Sequence, residues 1–170
     1  MRPKVVIAET IAQAGIDALA AQCEVDNAAG VGRADLLGRM ADARGLIVRS
    51  ATQVDSELLA AAPNLQVVGR AGVGVDNIDL RAATAAGVLV VNAPQANIIS
   101  AAEHTMALLL AQARNIAPAD ASLRAGRWDR TKYQGIELHG KTLGVIGLGR
   151  IGSLVAQRAL SFGMRLVAFD

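Results

Sequence analysis

Aromatic side chains are almost missing, at 2% of 170 residues. A core here must therefore be built from Val, Leu, Ile and Ala, and short Val-rich runs of that kind suit buried parallel strands. Basic tracts interleaved with aromatics are also absent. The 17 Lys and Arg against 15 Asp and Glu are scattered, leaving a net charge of +2, so the footprint of a nucleic-acid binder is excluded. The single cysteine, Cys23, excludes an internal disulfide and points to a reducing compartment. It opens an expected strand and reads as a small core residue rather than a nucleophile. Apolar runs fall well short of a membrane span, and the one following Met1 to Lys4 is too short for a signal peptide. A soluble, cytoplasmic protein with no membrane partner is the expectation. No internal repeat or low-complexity segment is present.

What is there is a 52% hydrophobic chain, enough for one domain and part of a second. The pattern predicts strands over 5–8, 24–26, 46–48, 67–69 and 88–91. Between them it predicts helices over 11–21, 34–43, 56–62 (stopped by Pro63) and 80–86 (closed by Gly87). Strand–helix alternation at this spacing implies a parallel, doubly wound α/β sheet, whose ligands bind at the carboxyl ends of the strands. Arg49, Arg70 and Asn92 stand at those ends. A hinge over 95–97 leads to helices over 98–115 and 118–125, then to a polar segment carrying Trp128, Arg130, Lys132 and Tyr133. This divides the chain into a first domain over 1–96 and the start of a second over 97–170.

Residues 142–170 predict a strand over 143–146, a glycine-rich turn, a helix over 150–162 and a strand over 166–169 ending in an acid. This is the dinucleotide-binding fingerprint in its proper setting. Gly147 permits the tight turn, Gly149 lets backbone approach a pyrophosphate, and Gly152 lets helix and strand pack closely. The helix N-terminus favours the phosphates. Asp170 suits a ribose hydrogen bond and repels the extra phosphate of NADP, so the cofactor read here is NAD. One βαβ unit is only part of a Rossmann sheet, so further strands are expected beyond Asp170.

Val-Arg-Ser at 48–50, Val-Gly-Arg-Ala-Gly-Val-Gly-Val-Asp-Asn at 68–77, Asn-Ala-Pro at 92–94, Ser-Ala-Ala-Glu-His at 100–104 and the 147–152 turn together resemble the NAD-dependent D-2-hydroxyacid dehydrogenases. Arg70 beside the glycine run, combined with Arg49, resembles the branch of that family acting on 3-phosphoglycerate. The resemblance implies a flavodoxin-like parallel-sheet substrate domain followed by the start of a Rossmann NAD-binding domain. It implies oxidation of 3-phosphoglycerate to 3-phosphohydroxypyruvate, the first step of serine biosynthesis. It implies substrate contacts from Arg49, Arg70 and Asn97, a cleft lined by the N–H groups near Val73 and Gly74, and NAD contacts from Val73, Arg150, Ile151 and Asp170. A homodimer or tetramer through the NAD-binding domain is implied too, with the 128–133 segment a candidate contact. Arginine's planar fork suits a phosphate, and a glycine-turn nest suits a carboxylate.

The same resemblance implies that the catalytic arginine, glutamate and histidine follow later in the chain. Neither available histidine fits that role: His104 reads as packed or capped within its helix, and His139 as a surface residue. Glu103 reads as a structural hydrogen-bonder, and Asn97 as a helix N-cap as well as a substrate contact. Residues 1–170 alone are therefore expected to be catalytically silent. They are also expected to associate through the apolar face of the helix over 106–111, whose covering partners the resemblance places elsewhere. Two other readings stand beside this one. One is a dehydrogenase of an unphosphorylated acid, of the glyoxylate or hydroxypyruvate reductase type. The other is a non-catalytic NAD-sensing scaffold.

Overall fold

The structure is a computed structural model describing residues 2–170, which divide into two compact units, 2–96 and 97–170. In the first unit, β1 (Lys4–Ile7), β2 (Glu24–Asn27), β3 (Gly45–Val48), β4 (Val67–Arg70) and β5 (Leu89–Asn92) form one sheet. Every pairing is parallel and the order is β2-β1-β3-β4-β5. That is the flavodoxin-like order, with its switch point between β1 and β3. The connections carry α1 (Gln13–Ala20), α2 (Arg33–Arg39), α3 (Ser56–Ala60) and α4 (Leu80–Ala85). Each element lies within a few residues of its expected span.

The core is aliphatic, as a chain short of aromatics requires. Val6, Leu46, Val48 and Val68 from the strands are fully buried against Leu58 of α3, Ala83 of α4 and Met40 at the end of α2. Each such Val or Leu contributes about 1.5–3 kcal/mol by leaving water. Asp55 and Asp79 cap α3 and α4 by accepting from the N–H groups of Leu58 (3.0 Å) and Ala82 (2.9 Å). Cys23 is only half-buried and stands outside this core, at the entry to β2.

The second unit contains α5 (Ile98–Ala113), α6 (Ile116–Arg124), β6 (Thr142–Ile146), α7 (Arg150–Ser161) and β7 (Arg165–Phe169). β6 and β7 pair in parallel, Gly144 opposite Val167 and Ile146 opposite Phe169. Ala102 and Met106 of α5 are buried with Val155 and Ala159 of α7, and Leu109, Leu110 and Ala113 pack on the same cluster. This corrects the expectation of an uncovered 106–111 face: α7 covers most of that stripe. Leu108 remains exposed, as do Ile146, Val167 and Phe169 on the outer face of the two-stranded sheet. Among the described residues no helix is long and apolar enough to cross a membrane.

Candidate functional site

At the carboxyl edge of the first sheet, Arg70 ends β4 opposite Val48 and Asn92, and Arg49 follows directly after Val48. Adjacent parallel strands thus bring the two arginines together at one edge. Arg49 is exposed, and its guanidinium makes no hydrogen bond or ion pair among the described residues. Arg70 donates from Nε to Asn77 Oδ1 at 2.9 Å, leaving its two Nη groups for another partner. The turn after Arg70 is held from several sides. Ala71 N–H donates to Val48 O, Ala93 N–H to Gly72 O, and Asn92 Nδ2 to Val73 O at 2.6 Å. Asn92 therefore fixes this turn. The N–H groups of Val73 and Gly74 have no partner among the described residues, and a Cβ built on Gly72 would lie 2.6 Å from Arg70 Nη1. Guanidinium and unbonded amides are thus neighbours, in an arrangement that can hold an anion.

The crevice over the β1/β3 switch point, about 540 Å³ in volume, has Glu9 and Thr52 in its wall. Folds of this strand order commonly place a ligand there, but in this chain Glu9 takes the nearby backbone donors. Its carboxylate accepts from the N–H groups of Arg49 (2.8 Å), Ala51 (3.1 Å) and Thr52 (2.9 Å). Burial works against the charged form. The N–H groups of Thr52, Arg49 and Ala51, with the Thr52 hydroxyl, outweigh it and hold Glu9 below its ordinary 4.5. A depressed carboxylate stabilises the fold fully above its unfolded value, and that contribution is lost as pH falls through the folded value. Glu9→Gln is expected to cost about 1–3 kcal/mol at neutral pH, with the difference closing as pH drops below 4.5. Urea denaturation of both proteins across that range checks it. Glu9 was not among the residues picked out by sequence, because its partners lie 40 or more positions away.

In the second unit the turn between β6 and α7 has the geometry its glycines predict. Gly147 has φ +88, a left-handed conformation. A Cβ on Gly152 would overlap the carbonyl oxygen of Gly147, so strand and helix meet at van der Waals limits there. A Cβ on Gly149 would meet nothing within 4 Å, which leaves open space beside the backbone at the start of α7. Gly149 supplies no side-chain cap to α7. Asp170 follows β7, and its Oδ1 accepts from Leu148 N–H at 3.0 Å, placing the acid beside the glycine turn. Arg150 and Ile151 occupy the first positions of α7, both exposed.

Other residues fall differently from their readings. Asn97 stands at the N-cap position of α5, but its φ of −129 and ψ of 7 come with no side-chain cap hydrogen bond, so the capping role is corrected. His104 is exposed, neither packed nor capping. His139 is exposed as expected, its ring against Gly163. Glu103 approaches Arg158 of α7 at 3.8 Å. Trp128 is exposed, and Lys132 lies 5.5 Å from the centroid of the Tyr133 ring. Among the described residues no group of three or more His, Cys, Asp or Glu is placed to hold a metal ion.

A flavodoxin-ordered sheet followed by a βαβ unit with this turn has the build of an α/β dinucleotide-binding protein. The family follows from comparison with known proteins. Residues 5–163 match the family described as D-isomer specific 2-hydroxyacid dehydrogenase, catalytic domain, and the chain belongs to it. D-3-phosphoglycerate dehydrogenase of Mycobacterium leprae (strain TN) is 58% identical over 99% of the chain, which spans 32% of that relative. The TT0316 protein of Thermus thermophilus superposes with a TM-score of 0.91 at 38% identity, over 97% of this chain and 55% of that one. A D-lactate dehydrogenase of Aquifex aeolicus, crystallised with NAD and lactic acid, gives a TM-score of 0.84 at 27% identity, over 98% and 51% respectively. The chain thus spans about a third of the curated relative's length and about half of the two solved chains.

Proposed function

We propose that the complete protein is an NAD-dependent dehydrogenase that oxidises D-3-phosphoglycerate to 3-phosphohydroxypyruvate, the first step of L-serine biosynthesis. The observation that carries this reading is the pairing of Arg49 and Arg70 at neighbouring strand ends, beside the unbonded amides of Val73 and Gly74. That is more positive charge than an unphosphorylated hydroxy acid needs. A substrate with both a phosphate and a carboxylate uses it fully. The names of the mycobacterial and archaeal relatives, at 58% and 52% identity, support the same substrate. Residues 1–96 would form the substrate-binding part and 97–170 the beginning of the NAD-binding part, with Asn97 a further substrate contact.

The residues present fit a dinucleotide. Gly149 leaves open space of the kind a pyrophosphate requires, Gly147 and Gly152 shape the turn, and Asp170, beside that turn, would accept from a ribose hydroxyl. Arg150 and Ile151, at the start of α7, would line the same ligand. When bound, NAD supplies the hydride acceptor. The chain's own residues bind and orient: the arginines neutralise the substrate's anions, and the turn amides hold its carboxylate. The acid/base is read as lying outside these 170 residues, since among the described residues neither His104 nor His139 has a partner that orients it. A homodimer or tetramer through the NAD-binding part is proposed as the working assembly, and a cytoplasmic location as its setting.

Asp170→Ala in the full-length protein should weaken NAD binding by about 1.5–3 kcal/mol, measured by calorimetry, with NAD preferred over NADP before mutation. Equal affinity for the two cofactors in the unmutated protein would contradict the assignment. The function itself is tested by mixing full-length protein with NAD and D-3-phosphoglycerate and following NADH absorbance. Steady NADH formation is expected. NAD binding without turnover on any 2-hydroxy acid would point instead to a sensing scaffold.

A further inference from the structure

Asn77 is one of two buried polar residues in the core of the described chain, at 6% exposure. Its backbone is pinned first. Val54 N–H donates to Asn77 O at 2.8 Å, Asp79 N–H donates to Val54 O at 2.9 Å, and Val54 and Ile78 form a parallel bridge. Its side chain then uses both ends of the amide. Nδ2 donates to Arg49 O at 3.0 Å and to Thr52 O at 2.6 Å. Oδ1 accepts from Arg70 Nε at 2.9 Å. Two carbonyls on one side and an N–H on the other fix the orientation of the amide without ambiguity.

We infer that Asn77 is the positioning residue that sets the guanidinium of Arg70, and through it the preference for a phosphorylated substrate. The inference rests on the assignment of Arg49 and Arg70 to substrate. The logic is geometric. An unrestrained arginine carries large rotamer entropy, much of it lost when it grips a ligand. Asn77 removes part of that cost beforehand by holding Nε, which leaves the end-on pair of Nη groups as the ligand-facing fork. Gly72 lets the guanidinium lie close to the turn that carries the Val73 and Gly74 amides. The same amide ties down the carbonyl of Arg49, whose N–H is already held by Glu9. One buried side chain therefore ties the guanidinium of Arg70 to the backbone at Arg49, just past the end of the neighbouring strand. Asn77 needs no contact with substrate to do this.

The test is a mutant cycle in the full-length protein, with dissociation constants for D-3-phosphoglycerate and for NAD measured by calorimetry. Arg70→Ala should weaken 3-phosphoglycerate by at least about tenfold, and Asn77→Ala by about five- to tenfold. In the Arg70→Ala background, Asn77→Ala should add less than about twofold, and NAD affinity should stay within about twofold throughout. A merely structural role would weaken both ligands, or act equally in both backgrounds; either result overturns the inference. A large effect of Arg70→Ala with none from Asn77→Ala overturns the linkage alone. No effect of Arg70→Ala overturns the substrate assignment and this inference with it. Should Asn77→Ala not fold, the unmutated protein labelled with ¹⁵N-arginine answers instead. The Nε–H of Arg70, identified by its loss in Arg70→Lys, should exchange with water at least about tenfold more slowly than that of Arg49, because only the former is bonded. Equal exchange would overturn the inference.

Discussion

Arg70→Lys in the full-length protein is expected to lower kcat/KM for D-3-phosphoglycerate by about 10- to 100-fold, while kcat/KM for the unphosphorylated D-glycerate changes by less than about threefold. The charge survives this change but the geometry does not. An ammonium presents no planar fork, and it has no Nε–H to give to Asn77 Oδ1 at the 2.9 Å position. The buried amide would lose its partner and the phosphate would lose a paired donor. Steady-state kinetics on the two acids, which share a carbon skeleton, isolates the phosphate's part. Equal losses on both would mean that Arg70 does not discriminate phosphate.

A second large effect is expected from two glycines three residues apart. Gly149 has φ −67 and ψ −161, an extended conformation open to alanine, and its Cβ would meet nothing within 4 Å. Gly149→Ala should therefore leave the melting temperature unchanged yet weaken NAD binding by about 100-fold, because the new methyl group fills the approach to the pyrophosphate. Gly152→Ala should behave differently. Its Cβ collides with the Gly147 carbonyl, and because the obstacle is backbone the turn itself must shift. A stability loss of about 1–3 kcal/mol should accompany the loss of NAD affinity. Melting and calorimetry on both variants separate a cofactor role from a packing role. NAD bound as tightly by Gly149→Ala as by the unmutated protein would contradict the reading.

The parallel, doubly wound sheet was legible because Val-rich runs and amphipathic stretches alternate with few exceptions, and because Pro63 and Gly87 punctuate them; its flavodoxin-like order was implied only by the family resemblance. The observed strand ends differ by a residue or so from the expected ones; β4 reaches Arg70 rather than stopping at Gly69. The glycine turn was legible because each glycine answers to a local constraint. What escaped depends on distant pairings. Asn77 reads as a loop asparagine until the fold brings Arg49 and Thr52, 28 and 25 residues earlier, onto its amide. Glu9 reads as an acid after a strand until β1 and β3 pair. His104 was within reach of periodicity. The buried stripe of α5 runs through Ala102, Met106, Leu109 and Ala113, and a residue two positions past Ala102 lies about 200° around the helix, toward the opposite side. Asn97 has the right chemistry for a cap, but its backbone conformation does not bring the side chain to the helix N–H groups.

Arg49 and Arg70 are proposed to select a phosphorylated 2-hydroxy acid. The most direct measurement is the ratio of kcat/KM for D-3-phosphoglycerate to that for D-glycerate, determined on the full-length unmutated protein with NAD. A ratio of at least about 100 is predicted, the yield of roughly 3 kcal/mol from charge-assisted hydrogen bonds to the phosphate. A ratio near one, or in favour of D-glycerate, would contradict the claim and place the protein with the reductases of unphosphorylated acids.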